Sequence, residues 1–195
     1  MTRLAPPHVD PTAALARFAA TAPADVVYAF VDSPVGRLLA AGTERGLACL
    51  GYEDVRGGSD PLLERLASEL SPRMLHAPAR LDDVRRELDE YFEGRRTAFE
   101  LPLDFALTRP FARKILQATA GIPFGATSTY GKVAAEAGSP GAARAAGGAL
   151  GSNPIPIVVP CHRVLASNGT LHGYTGGLER KRHLLELEGV LTRSM

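Results

Sequence analysis

Cysteine is scarce in this chain. Only Cys49 and Cys161 occur among 195 residues, and neither belongs to a Cys-x-x-Cys or Cys-x-x-His pair. That spacing excludes zinc-finger and redox-dithiol chemistry. Long apolar runs are missing as well. The opening Met-Thr-Arg-Leu-Ala-Pro-Pro-His holds no run of signal-peptide length, and no segment is long enough to span a bilayer. The expected setting is therefore a reducing cytoplasm away from any membrane, where a lone thiol stays free. Lysine is absent from the first 105 residues, which carry 12 arginines against 17 acidic residues for a charge of −5. The remaining residues carry 10 basic against 4 acidic groups, a charge of +6. An acidic half joined to a basic half fits a protein whose second half alone meets a polyanion; it fits ordinary surface solubility equally well.

With 45% hydrophobic residues the chain has ample core for one large domain or two small ones. Residues 1–24 read as a Pro- and Ala-rich arm with a short helix near 13–20. Strand-like patterns follow at 26–31, 38–41 and 47–52, separated by the turn signals Ser33-Pro-Val-Gly36 and Gly42-Thr-Glu-Arg-Gly46. Amphipathic spacing predicts helices over 61–70 and 81–93, the second with Leu81, Val84, Leu88 and Tyr91 on one face. Residues 101–107 form a short strand or a linker, and the charge break falls there. Beyond it, helices are expected at 110–120, 129–137, 140–150 and 178–188. The pair 129–137 and 140–150, joined through Gly138-Ser139, has the outline of a helix-turn-helix, with Ser139 as N-cap and Pro140 at the first helical position.

The chemistry concentrates around one thiol. Pro154-Ile-Pro-Ile-Val-Val-Pro-Cys161 reads as a buried extended run whose three prolines bar it from a central strand. Cys161 is held at its end and is followed at once by His162 and Arg163. Neighbouring basic groups are what lower a thiol's pKa. Consecutive side chains rarely face each other, so a Cys161–His162 contact calls for a bridging water; alternatively His162 is a satisfied surface histidine. Glu188 lies on the same face of the last helix as Leu178, Leu184 and Leu185. A carboxylate facing the core at a helix C-terminus needs a partner. His162 is the simplest, giving the order Cys161–water–His162–Glu188, with Arg163 or Lys181 as the other choices. The helix Gly141-Ala-Ala-Arg-Ala-Ala-Gly-Gly-Ala149 offers one long side chain, Arg144, on a nearly bare backbone. It suits either close packing inside the protein or close approach to another surface. Cys49, within Gly46-Leu-Ala-Cys-Leu-Gly-Tyr52, is expected to pack as a small hydrophobe.

Together, Pro160-Cys-His-Arg-Val164, Thr129-Tyr-Gly-Lys-Val-Ala134, Ala142-Ala-Arg-Ala145, Asn153-Pro154, Gly173-Tyr-x-Gly-Gly-Leu178 and Glu179-Arg-Lys-x-x-Leu-Leu-Glu-x-Glu188 resemble the 6-O-alkylguanine-DNA alkyltransferases. The resemblance covers roughly residues 105–190 and is looser before that, near Ser33–Leu39. It implies an α/β (α+β) fold: a small antiparallel sheet with helices (ribonuclease H-like) over 25–105, and a mostly helical winged-helix or helix-turn-helix domain over 106–195. The partner it implies is double-stranded DNA containing 6-O-alkylguanine, met through the minor groove by a protein acting as a monomer. Arg144 would fill the space of a flipped-out base, with Ala142, Ala143 and Gly147 giving clearance for the duplex. Tyr130 would press on a phosphate and offer its hydroxyl to the guanine. Thr129 would hold a neighbouring phosphate or simply cap its helix. The resemblance makes Cys161 the nucleophile, His162 its base through water, and Glu188 the orienting group. Tyr130 and the Tyr174–Thr175 backbone would stabilise the departing guanine. Carbonyls near Cys161 and Val164 would read the exocyclic amine, and Asn153 would pin the turn before the cysteine. No cofactor and no metal are expected, because the damaged base is itself the alkyl donor.

The sequence departs from the family pattern at Phe111-Ala112 and Ile115-Leu116, where Phe-Gln and Val-Trp are common. Three rival readings remain. A sensor of alkylated DNA without transfer activity sits poorly with the presence of Cys161. A cysteine hydrolase leaves the Arg144 helix unexplained, and a helix-turn-helix regulator leaves the cysteine segment unexplained.

Overall fold

The structure, a computed structural model, describes residues 11–55 and 57–192. Helix α1 (Pro11–Thr21) takes in the short helix expected within the arm, and the arm's first ten residues lie outside the described residues. The next three elements are the expected strands: β1 (Val26–Val31), β2 (Leu38–Thr43) and β3 (Gly46–Tyr52), an antiparallel meander. A fourth strand, β4 (Met74–His76), pairs parallel to β1 and gives the order β3-β2-β1-β4. At three residues β4 is too short to show alternation in sequence. Helices α2 (Ser59–Glu69) and α3 (Asp82–Phe92) are those expected, α3 following a 3-10 turn at Pro78–Leu81. The 101–107 segment is a connection that touches β3 through one parallel bridge, Leu47 with Leu103.

The second half contains α4 (Pro110–Ala120), β5 (Ser128–Thr129), α5 (Tyr130–Glu136), α6 (Ala143–Gly151), β6 (Val164–Leu165) and α7 (Leu178–Leu187). Helix α5 ends as the sequence suggests. Gly138 (φ +75°) turns the chain, Gly138 N–H bonds the Ala135 carbonyl and Ser139 N–H bonds the Ala134 carbonyl. That is a Schellman closure. Helix α6 starts three residues later than expected, with Ala142 at its N-cap and no side-chain cap. The reason is Gly141, whose φ of +87° breaks any helix begun at Ser139. Ser139 instead accepts the Ala142 N–H through its carbonyl in a tight turn.

The cysteine segment is buried as expected but is not extended. Ile157 takes a left-handed φ of +74°, and Val159 N–H reaches back to the Ile155 carbonyl at 2.9 Å. Pro160 then forms a γ-turn, with Cys161 N–H on the Val159 carbonyl at 2.8 Å. A β-branched residue in this region costs on the order of 1–3 kcal/mol, so the complete burial of Ile157 has to hold it there. Periodicity and proline content carry no sign of such a fold-back. The parallel ladder of β5 on β6 then ties the entry of α5 to the strand that follows the cysteine. No helix among the described residues is long and apolar enough to cross a membrane.

The main hydrophobic cluster runs through both halves, from Leu38, Leu50 and Leu88 to Ile115, Ile155, Val159 and Leu184. Leu50 also donates its N–H to the Pro154 carbonyl at 2.7 Å, fastening β3 to the cysteine segment. Fully buried Leu50→Ala should therefore cost about 2–5 kcal/mol in urea unfolding. Far-ultraviolet dichroism and tyrosine fluorescence should still report one coincident transition, because the core is shared. Two separated transitions would show the halves to be energetically independent.

Candidate active site

Helix α7 supplies the carboxylate on which the site is organised. Its C-cap is Glu188, fixed by a second Schellman closure in which Gly189 N–H bonds the Glu186 carbonyl and Val190 N–H bonds the Leu185 carbonyl. Glu188 faces the core with Leu184 and Leu185, as its spacing indicates, whereas Leu178 is half exposed and Lys181 takes the buried place. Glu188 has more than one partner. Oε1 accepts from Tyr91 Oη at 2.7 Å, from His162 Nε2 at 2.8 Å and from Arg163 Nη2 at 2.9 Å. Oε2 accepts from Arg163 Nε at 2.8 Å. His162 and Arg163 therefore both pair with it, and Lys181 does not. Burial pushes the carboxyl's pKa up, but the bonds from His162, Arg163 and Tyr91 outweigh it and hold it at about 2.

His162 is completely buried, not a surface histidine. Burial lowers its pKa against the pull of Glu188, so the ring rests neutral. Because an ionised carboxylate only accepts, Nε2 carries the proton. Nδ1 is left with a lone pair, and among the described residues it has no protein hydrogen-bond partner. This tautomer makes Nδ1 a base.

Cys161 opens a 3-10 turn (Cys161–Arg163) at the wall of a cavity of about 900 Å³. Its thiol departs from the expectation of a lowered pKa. Burial raises it to about 11, only partly offset by the Asn153 hydrogen bond and the nearby Lys181. A cationic neighbour in sequence does not lower a thiol's pKa when that cation is spent elsewhere, and Arg163 is spent on Glu188 and on the Ile122 carbonyl. The resting sulfur is a thiol, and a base is needed to activate it. Asn153 holds it: Oδ1 accepts the Ile155 N–H, while Nδ2 donates to the Val159 carbonyl at 2.9 Å and to Sγ at 3.1 Å.

The same cavity is lined by Thr129, Tyr130, Ala143, Arg144, Gly147, Tyr174 and Thr175. Thr129 is the N-cap of α5, accepting from Lys132 N–H at 3.3 Å. Tyr130 donates to the His172 carbonyl at 3.3 Å, and Arg144 is exposed on the first turn of α6. Thr175 donates to the Gly151 carbonyl at 2.8 Å. Tyr174 meets Tyr52 hydroxyl to hydroxyl at 2.8 Å, and its ring lies edge-on to His162. Gly176 follows, where a Cβ would come within 2.5 Å of the Tyr52 ring, so that loop packs only with glycine there.

Five residues assigned from the sequence stand outside the lining. Ala142 is the α6 N-cap; Asn153, His162 and Glu188 lie behind the sulfur. Val164 is also behind it, and its carbonyl already accepts from Lys181 Nζ at 2.6 Å. The other acceptor of that ammonium is the His172 carbonyl at 2.8 Å, and burial lowers the pKa of Lys181 to about 8. Sequence reasoning missed Tyr91, Tyr52 and the placement of Lys181. Tyr91 looked like one more apolar position of α3, and nothing in the spacing distinguished its hydroxyl. Cys49 packs in a separate small cluster, where burial raises its thiol to about 12. Among the described residues no group of three His, Cys, Asp or Glu side chains is placed to hold a metal ion.

Comparison with known proteins bears on this arrangement. Residues 26–105 match the family model described as 6-O-methylguanine DNA methyltransferase, ribonuclease-like domain, and residues 110–190 match that of the same family's DNA binding domain. A methylated-DNA–protein-cysteine methyltransferase of Mycobacterium tuberculosis is 40% identical over 164 residues, 83% of this chain and 91% of that protein. One from Mycobacterium leprae is 42% identical over 163 residues, covering 81% and 89%. The crystal structure of Mycobacterium tuberculosis OGT in complex with DNA superposes with a TM-score of 0.71 at 38% identity, covering 83% of this chain and 92% of that one. With two family models spanning most of its length and a buried Cys-His-Glu arrangement at its centre, this chain belongs to the 6-O-methylguanine DNA methyltransferase family.

Proposed function

We propose that this protein repairs DNA by direct reversal, moving the alkyl group of a 6-O-alkylguanine onto Cys161. The observation that carries the reading is the neutral, Glu188-bonded His162 behind a buried thiol at the wall of an open cavity. His162 Nδ1 draws the thiol proton through a water, while its Nε2–H stays on Glu188, which stabilises the imidazolium that forms. Sulfur attacks the alkyl carbon in line. The S–C bond forms as the C–O6 bond breaks, and the released electron pair stays on the base. The proton lost by sulfur is returned to the guanine, so the products are a thioether and an unmodified base. Tyr130 and the backbone at Tyr174–Thr175 line the cavity where the leaving base would sit. A thioether has no route back to thiol here, so each molecule acts once.

For DNA, the basic second half and helix α6 support a minor-groove approach, with Arg144 occupying the place of a flipped base. A side chain at Gly148 would meet nothing of the protein within 4 Å, so the protein's own packing does not call for a glycine there. Clearance for a duplex does. Ala142, Ala143 and Gly147 fit the same purpose, and Thr129 beside Tyr130 is within the same face. We take the acting species to be a monomer in a reducing compartment, since a single unpaired thiol is what the chemistry uses. The division at residue 105 separates the two roles, DNA contact and catalysis after it and support before it. A sensor without transfer activity has no use for a thiol with its own base.

Three outcomes follow. Incubation with a duplex carrying 6-O-methylguanine should place one methyl per protein on Cys161 by peptide mass spectrometry, and Cys161→Ser should bind the duplex without transfer. Multiple turnovers, or no transfer by folded protein, would refute the reading. Arg144→Ala should slow transfer from duplex by about tenfold or more while leaving reaction with the free base unchanged; equal losses on both would remove the finger role. Finally, Glu188 has a folded pKa near 2 against an ordinary 4.5, so its contribution is complete above pH 4.5 and is lost as pH falls towards 2. Acid unfolding by dichroism should show that loss. Glu188→Gln should abolish it and cost about 3–5 kcal/mol at neutral pH, because Arg163 is left buried without its counter-charge. An unchanged acid limb would contradict the charge assignment.

A further inference from the structure

We propose that Tyr91, contributed by helix α3 of the first half, is a positioning residue that sets the basicity of His162 through Glu188. The proposal rests on the transfer reading above, since it concerns the same base. Tyr91 is completely buried, and its ring is locked among Phe92, Phe99 and Phe124 at centroid distances of 5.3–6.1 Å. The hydroxyl is thereby aimed at a single oxygen, Glu188 Oε1, at 2.7 Å.

Acceptor capacity at Glu188 Oε1 is limited. A carboxylate oxygen offers two lone pairs. Oε1 receives three donors: Tyr91 Oη, His162 Nε2 and Arg163 Nη2, all between 2.7 and 2.9 Å. The three compete. Whatever negative charge the phenol draws is withdrawn from the bond that stabilises a protonated His162. Arg163 holds Oε2 as well and fixes the carboxylate in place without the phenol. Tyr91 is therefore free to act as a modulator of the Glu188–His162 bond.

Other groups around the ring cannot substitute for it. Facing His162 are Lys181 from α7, whose ammonium is bonded to the Val164 and His172 carbonyls, Arg163 from its own segment, and the ring of Tyr174. Tyr52 from β3 reaches it only through Tyr174. Among the described residues, Tyr91 and Arg163 are the other two donors to the oxygen that accepts from the imidazole. The consequence is directional. Losing the phenol donor returns acceptor capacity to His162 Nε2–H, favours the imidazolium, and moves the neutral, base-competent ring to higher pH. The thiol proton still goes to Nδ1, and Tyr91 keeps its own proton throughout.

The test reads thiol activation without DNA. The rate at which chloroacetamide alkylates Cys161 is measured by peptide mass from about pH 5 to about pH 9, for the full chain and for Tyr91→Phe. Methyl transfer from a 6-O-methylguanine duplex is followed over the same range. The ascending limb of both profiles should move up by about half a pH unit or more in Tyr91→Phe, with a correspondingly slower reaction below it. A merely structural role would lower the melting temperature and leave the limb in place, and that result overturns the proposal. If Tyr91→Phe does not fold, 3-fluorotyrosine incorporated at position 91 decides. As a more acidic donor it should move the limb to lower pH, and an unmoved or raised limb refutes the assignment. Absence of methyl transfer by the unsubstituted protein, with chloroacetamide reactivity intact, would count against the repair reading and leave the Tyr91 test standing.

Discussion

A buried carboxylate governs this molecule. Glu188 sits at the end of the last helix, where both desolvation and the helix dipole oppose a negative charge. It is tolerated because Arg163 meets it with two hydrogen bonds, joined by donors from His162, Tyr91 and the Gly125 N–H. Each partner then acquires a constraint of its own. Arg163 must lie two residues after the cysteine, so the 3-10 turn at Cys161–Arg163 is required for the charge to be balanced at all. Tyr91 must come from the first half, so the two halves share one core and cannot be arranged independently. Removing either cation partner or carboxylate leaves an uncompensated charge in the interior, the most destabilising class of single change.

The same arrangement explains a thiol that is quiet at rest and able to react on demand. Burial keeps Cys161 protonated, which protects it from adventitious electrophiles and oxidants. His162 is also buried and neutral, with one nitrogen committed to Glu188 and the other without a partner among the described residues. Activation therefore requires a proton that moves from the sulfur to His162 at the moment of attack. A protein that is consumed by one reaction gains from such restraint.

Much of this was legible in the sequence, and for identifiable reasons. The three-stranded meander announced itself through strand residues separated by Gly-rich turns, and the long helices through their apolar spacing. The inward direction of Glu188 followed from its distance to Leu184 and Leu185, which is a property of any helix. What was not legible depends on contacts between distant segments. The fold-back at Ile157 needs a left-handed residue that sequence rules do not expect from isoleucine. The late start of α6 was hidden because Ser139-Pro140 is a good helix opening, overruled by the conformation of Gly141. Tyr91 read as core because its ring is core; only its hydroxyl is part of the site. The thiol's raised pKa ran against its basic neighbours because burial, not adjacency in sequence, dominates.

Activation of Cys161 depends on the state of one imidazole. If Glu188 fixes the tautomer, His162 at neutral pH carries its proton on Nε2 and leaves Nδ1 unprotonated. Nitrogen-15 NMR of protein labelled in histidine, with His162 assigned by substitution, measures this directly. The account predicts a pyrrole-type Nε2 and a pyridine-type Nδ1 in the resting protein. A protonated Nδ1, whether in the opposite tautomer or in an imidazolium, would contradict it.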